Sequence, residues 1–210
     1  MTKMRRILII FIIGIHFLLY GTLLAGERED SLIPAFREQR VMEWRKERDD
    51  FFKTHERSPL TPNQKKVFKG LKYYPFNLRY IFSSQIERYH FYINDPNYYV
   101  ILSTNKGTSK RYIRYGRFNF RINDKEYAIE IYKSILSDFL LIPFNDKTNG
   151  KETYAGGRYI DAEILVGYKM VLDFNMAYHP PCAYNNKLIC ALPPRENMLD
   201  ISIPAGEKSF

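Results

Sequence analysis

Arg117–Tyr132 reads RFNFRINDKEYAIEIY. Phe118, Phe120 and Ile122 alternate with Asn119 and Arg121, and Tyr127, Ile129 and Ile131 resume the same period after Asn123-Asp124. A two-residue repeat places one row of side chains on each face of a strand, and two such rows around a short polar turn predict an antiparallel hairpin. Working outward, further short strands are expected at 78–86, 89–93, 98–103, 111–115 and 139–142, the hairpin itself contributing 117–122 and 126–132. Asn94-Asp95-Pro96, Asn105-Lys106-Gly107 and Gly116 supply turn signals between them. Strands at this spacing, with no helices between them, indicate an antiparallel sandwich or barrel. The 17 Tyr and 15 Phe suit pleated, half-buried surfaces. The fold class is therefore mainly β, α+β at the margin, with sheet expected over 73–175 and a Pro-rich segment over 176–210. The 210 residues suit one core better than two.

A helix is expected over 35–54, packed on the β-domain. Val41, Trp44, Phe51 and Phe52 recur at helical spacing among charged residues. Arg48 falls within that apolar stripe, so its stem should lie on the core while its head finds a carboxylate. Thr61-Pro62 looks like a cap and first position of one short helical turn that Gly70 ends. At the extreme N-terminus, Lys3-Met4-Arg5-Arg6 precedes the apolar run Ile7–Leu19, and Thr22–Gly26 ends in small residues before Glu27. That layout is a secretory signal over 1–26, cleaved after Ala25 or Gly26, with export of residues 27–210 as a single domain to the periplasm or medium. An uncleaved inner-membrane anchor through 7–24 is the alternative. Loss of the leader's three bases lowers the formal net charge from +9 to about +6. That modest excess includes no basic run suited to a nucleic-acid groove, and no stable membrane insertion is expected after cleavage.

The polar side chains concentrate in Glu152–Cys190 and just beyond. Gly156-Gly157 breaks regular structure. Arg158–Ile164 and Lys169–Asn175 then alternate around Gly167, predicting a second hairpin in which Ile160 and Ile164 lie with Met170 and Leu172, Glu163 faces Lys169, and Tyr159 faces Asp173. Arg158 then emerges on the apolar side and needs a partner from the loops after Asn175 or around Glu196. Tyr159, Asp161, Asp173 and Asn175 share the other face. With Arg158, Tyr178, Glu196 and Asn197 they either wall a pocket for a small molecule or partner, or tie the Pro-rich loops to the sheet. A hydrolase using Asp173 or Cys182 is the catalytic alternative. Cys182 and Cys190, the two cysteines, are most simply a disulfide in an exported protein, closing a small loop for about 2–3 kcal/mol. A zinc site with His179, or a Cys182 nucleophile with His179 as base, is less well matched by the spacing. No cofactor or metal is expected.

Several words in the chain are familiar. GRFNFRIN (116–123), PFNDKTNGKETYAGGRYID (143–161), VLDFNMAYHPPCAY (171–184), CALPPRENML (190–199) and IPAGEK (203–208), with EWRKERDDFFKTHERSPLT (43–61) and FKGLKYYP (68–75), resemble the DUF1684 family in order and over essentially all of 27–210. The chain departs at His179, where that family has Asn, and at Ala191, where it has Pro. The resemblance implies a fold unit and candidate positions, and no activity.

Overall fold

The computed structural model describes residues 34–209. The leader read over 1–26 and the alternative anchor over 7–24 lie outside the described residues. No helix among them is long and apolar enough to cross a membrane. The chain divides into one unit that ends at Glu43 and a larger one over Trp44–Phe210. The boundary falls inside helix α1, which runs over 34–54. In the first unit α1 is helical from 34, and the Gln39 amide donates to Glu43 across one turn at 2.8 Å.

In the larger unit, Trp44, Arg48 and Phe52 follow one another four apart on one face of α1. Phe52 is buried against Leu60, Phe68 and Leu71. Phe51, which the spacing offered as a core residue, is 38% exposed and stacks on His55 at 4.6 Å. The apolar stripe follows the i, i+4 ridge, and Phe51 sits one step off it. Helix α2 (Pro62–Val67) starts as expected. Thr61 and Gln64 form a reciprocal capping box, and Pro62 occupies the first turn, where its missing N–H costs nothing.

Eight strands follow: β1 (Ile81–Gln85), β2 (Glu87–Arg88), β3 (Tyr99–Ser103), β4 (Ser109–Ile122), β5 (Lys125–Ser134), β6 (Leu140–Phe144), β7 (Arg158–Asp161) and β8 (Lys169–Asp173). They form a six-stranded sheet, in the order β2-β4-β5-β6-β7 with β3 also on β4, and a two-stranded sheet of β1 and β8. Every strand pair is antiparallel. The β4–β5 hairpin is the one read from the sequence. Phe118 stands opposite Ile129, Phe120 opposite Tyr127, and Asn123 and Asp124 both take positive φ, as a two-residue turn between right-twisted strands requires. Phe118, Phe120, Ile129 and Ile131 join Met170 and Leu172 of β8 in one cluster, so the two sheets share a core.

Two expectations are corrected. The strands read as 111–115 and 117–122 are one strand with a bulge between Arg114 and Gly116. A Cβ at Gly116 would lie 2.5 Å from the Glu87 carbonyl oxygen, so this glycine admits a neighbouring backbone instead of ending a strand. The second hairpin does not form: β7 pairs with β6, while β8 pairs with β1. Ile164 and Met170 keep a single bridge, as their faces suggested, but Tyr159 bridges Tyr178 and not Asp173. Local alternation sets which side of a strand is apolar; which neighbour satisfies its edge is a long-range matter.

Candidate functional site

The 176–210 segment lies along the sheet and delivers most of the polar groups. The Leu192 N–H donates to the Ser103 carbonyl, the Asn145 N–H to Asn197, and the Leu199 N–H back to Asn145. Asn197, fully buried, accepts the Glu130 N–H at 2.7 Å and donates to the Glu130 and Pro143 carbonyls. That satisfies three groups of a covered strand face with one side chain. Glu196 turns outward to Arg114 at 3.6 Å.

Arg158 is fully buried. It pairs with Asp146 at 3.2 Å and donates to the Ile203 and Ala205 carbonyls. The carbonyls come from the segment after Asn175, as expected, but the carboxylate is Asp146, which precedes β7, and not a group around Glu196. The Tyr159 hydroxyl donates to the Ala191 carbonyl. Asp173 accepts the Asn175 N–H and its side-chain amide, each at 2.8 Å. Asn175 in turn exchanges hydrogen bonds with the Asn77 backbone in both directions. The shared polar face expected of Tyr159, Asp161, Asp173 and Asn175 is therefore not assembled. Arg158, Tyr159, Asp173, Asn175 and Asn197 are spent on internal hydrogen bonds that hold loops to strands.

Asp161 and Tyr178 are different. They meet at the end of β7, where the Tyr178 hydroxyl donates to the Asp161 carboxylate. Around them α1 contributes Trp44 and Arg48. The Arg48 guanidinium lies over the Tyr178 ring at 4.5 Å and over the Trp44 ring at 5.0 Å, with Trp44 tilted against Tyr178 at 6.4 Å. The carboxylate that Arg48 required is Glu207 of IPAGEK, at 3.1 Å. Glu207 is 1% exposed and also accepts the His179 N–H at 3.0 Å. His179 Nε2 accepts the Tyr154 N–H at 3.2 Å, which leaves the ring proton on Nδ1, 3.6 Å from the second Glu207 oxygen. That arrangement occupies His179 and removes it as a base for Cys182. Asp161 is exposed by surface, yet the surrounding protein raises its carboxyl above the usual range by burial, against the opposing effects of Tyr178 and Arg48. Glu207 and Asp146 were missed in the sequence because neither stands in a periodic run. The unpaired charge of Arg48 within an apolar stripe was the one available signal for Glu207.

The buried pair gives opposite pH slopes. Burial, the largest effect, pushes Glu207 from 4.5 up to about 7. The folded chain then holds a proton that the unfolded chain has lost, so stability falls as pH rises from about 4.5 to 7. Burial, then the charges of Arg158 and Arg48, bring His179 from 6.5 down to about 3. There the unfolded chain takes the proton, so stability rises with pH from about 3 to 6.5. In the wild type the two slopes oppose each other where they overlap. His179→Asn should unmask the loss, on the order of 1–3 kcal/mol from pH 4.5 to 7, and Glu207→Gln the gain, of similar size from pH 3 to 6.5. Urea unfolding of both variants across pH checks this; flat profiles in both would refute it.

The cysteines come together, but as free thiols, with the Cys182 N–H donating to the Cys190 sulfur at 3.2 Å. The structure does not show the expected disulfide.

Among curated proteins none matches the sequence. A solution NMR structure of an uncharacterised protein from Haloarcula marismortui is similar, at 30% identity and a TM-score of 0.65, covering 83% of this chain and 95% of that one. The family model of DUF1684, described as a protein of unknown function, matches residues 66–208. That span includes both sheets, the Arg158–Asp146 pair and every group of the Glu207 cluster that α1 does not supply, and the chain belongs to this family.

Proposed function

We propose that this chain is an exported, non-catalytic binding module, and that its ligand docks on the Asp161, Tyr178 and Trp44 surface at the end of β7. One observation carries the reading. Asp161 is a solvent-reachable carboxylate hemmed in by protein, with an aromatic wall beside it, while most of the other candidate polar groups are committed to internal hydrogen bonds. Arg48 and Glu207 hold that wall from behind. A raised carboxylate with a hydroxyl next to it accepts hydrogen bonds from an amine or a polyhydroxyl compound, and the half-exposed Trp44 ring offers a flat apolar face to the same molecule. The hydrolase reading finds less support, since Asp173 caps its own loop and His179 faces Glu207 rather than Cys182.

The test is a ligand-observed NMR screen of small amines and saccharides against residues 27–210. Asp161→Asn should weaken any hit at least about tenfold, equivalent to 1.4 kcal/mol. Being exposed, it should alter unfolding stability by under about 1 kcal/mol. Hits that bind Asp161→Asn as tightly as wild type would refute the placement, and the absence of any hit in either class would refute the ligand class.

A further inference from the structure

Cys190 and Cys182 reach each other from different supports. Cys190 is tied to the β3–β4 turn: its N–H donates to the Asn105 side chain at 2.9 Å, and its carbonyl accepts the Asn105 N–H at 3.2 Å. Cys182 lies in the 3-10 turn Pro181–Ala183 after Pro180, and its own N–H points at the Cys190 sulfur. Both residues are 6% exposed, in a cluster with Leu141 and Tyr159. Cys182, though not Cys190, also lines a surface recess with Thr61, Gln64, Tyr184 and Lys187, so solvent reaches the pair from the Cys182 side.

Structural cysteines buried in apolar surroundings are inert because burial disfavours the thiolate. This pair is built differently. The Cys190 sulfur receives a backbone N–H and the neighbouring S–H, and the Lys110 side chain, anchored on the Ile189 carbonyl at 2.7 Å, adds positive charge nearby. We propose that Cys182 and Cys190 form a dithiol site that exchanges reversibly with low-molecular-weight or peptide disulfides. Cys190, as thiolate, attacks one sulfur of R–S–S–R; a Cys190–S–S–R bond forms, the S–S bond of the reagent breaks, and R–S⁻ leaves. Cys182 passes its proton to that thiolate and attacks the Cys190 sulfur, closing the intramolecular bridge and expelling the second R–S⁻, which is protonated by solvent. Two electrons pass from the protein dithiol to the reagent, which is reduced to two thiols.

The same contacts set the acidity of the two thiols. Cys182 S–H and N–H donation, opposed by burial, brings Cys190 from 9.0 down to about 7, while Cys182 is pushed up, chiefly by its hydrogen bond to Cys190. At pH 7 such a sulfur is thiolate roughly fifteenfold more often than an ordinary cysteine of pKa about 8.5.

The experiment equilibrates native residues 27–210 with ratios of reduced to oxidised glutathione, quenches in acid, alkylates, and counts labels by intact mass. The expected result is a two-electron transition, both labels lost together, with the same midpoint approached from either direction. Cys182→Ser should then hold one glutathione on Cys190, and Cys190→Ser should react more than about tenfold more slowly. Two labels retained throughout, or a bridge that reopens only after denaturation, would overturn the proposal. The wild-type titration needs no variant to fold. It is also independent of the Asp161 surface, so either proposal can fail alone.

Discussion

Arg158→Ala should lower unfolding stability by about 3–5 kcal/mol, the cost of removing one partner of a buried ion pair. Arg158 and Asp146 both have fully buried side chains, 3.2 Å apart. Removing the guanidinium leaves the Asp146 charge with the Thr148 hydroxyl and the Ile203 N–H, which are hydrogen-bond donors without a counter-charge. It also removes the donors to the Ile203 and Ala205 carbonyls and opens a void beside Phe144, over whose ring the guanidinium lies at 5.1 Å. Much of this loss is the penalty of stranding Asp146, so Arg158→Ala combined with Asp146→Ala should cost less than the sum of the two single changes. Asp173→Asn is the contrast. It keeps an oxygen to accept the Asn175 N–H and should cost under about 1.5 kcal/mol. Chemical denaturation reads all four variants. An Arg158→Ala chain within about 1 kcal/mol of wild type would mean that the pair does not hold the C-terminal segment to the sheet.

What could be read ahead of the structure follows the range of each interaction. The β4–β5 hairpin was readable because its turn and both apolar rows lie within sixteen consecutive residues. Arg48 was readable as a charge in need of a partner, because its own helix exposes the conflict. Its partner lies 159 positions away, in a segment with no periodicity, and only the fold brings them together. The β7–β8 pairing failed for the same reason. Alternation placed Ile160, Met170 and Leu172 on the core side, where all three are buried, but β6 and β1 claimed the strand edges. The candidate polar set was singled out as a group because it is dense in sequence. Density does not separate side chains that tie loops down from side chains that face solvent. Five of the eight are internal; Asp161 and Tyr178 meet at the end of β7, and Glu196 turns outward to Arg114.

Gly157→Ala should cost about 3 kcal/mol or more, and Gly156→Ala much less, although the two are neighbours in one loop. Gly157 holds φ at +91°, where a Cβ is strained by roughly 1–2 kcal/mol before any contact is counted. The added methyl would also lie 2.4 Å from Pro193 Cγ, 2.7 Å from Asn145 Oδ1 and 2.9 Å from the Phe144 carbonyl oxygen. The Asn145 side-chain oxygen, which no hydrogen bond holds, can turn away, but Pro193 and the Phe144 carbonyl cannot. Phe144 is the end of β6, in register with Arg158; Asn145 exchanges backbone hydrogen bonds with Asn197 and Leu199; and Pro193 belongs to the Pro-rich run along the sheet. Separating them would move β7 away from β6 at the residue that places the Arg158 guanidinium on Asp146. Gly156 has no positive φ, and the three atoms nearest its added methyl all belong to the Tyr154 ring, the first at 2.4 Å. Tyr154 is half-buried, so its ring can turn outward at a cost of under about 1.5 kcal/mol. Paired denaturation curves decide the matter. If Gly157→Ala is the milder change, the close approach of β6, β7 and Pro193 is not what secures Arg158, and the buried ion pair must be positioned by the C-terminal carbonyls alone.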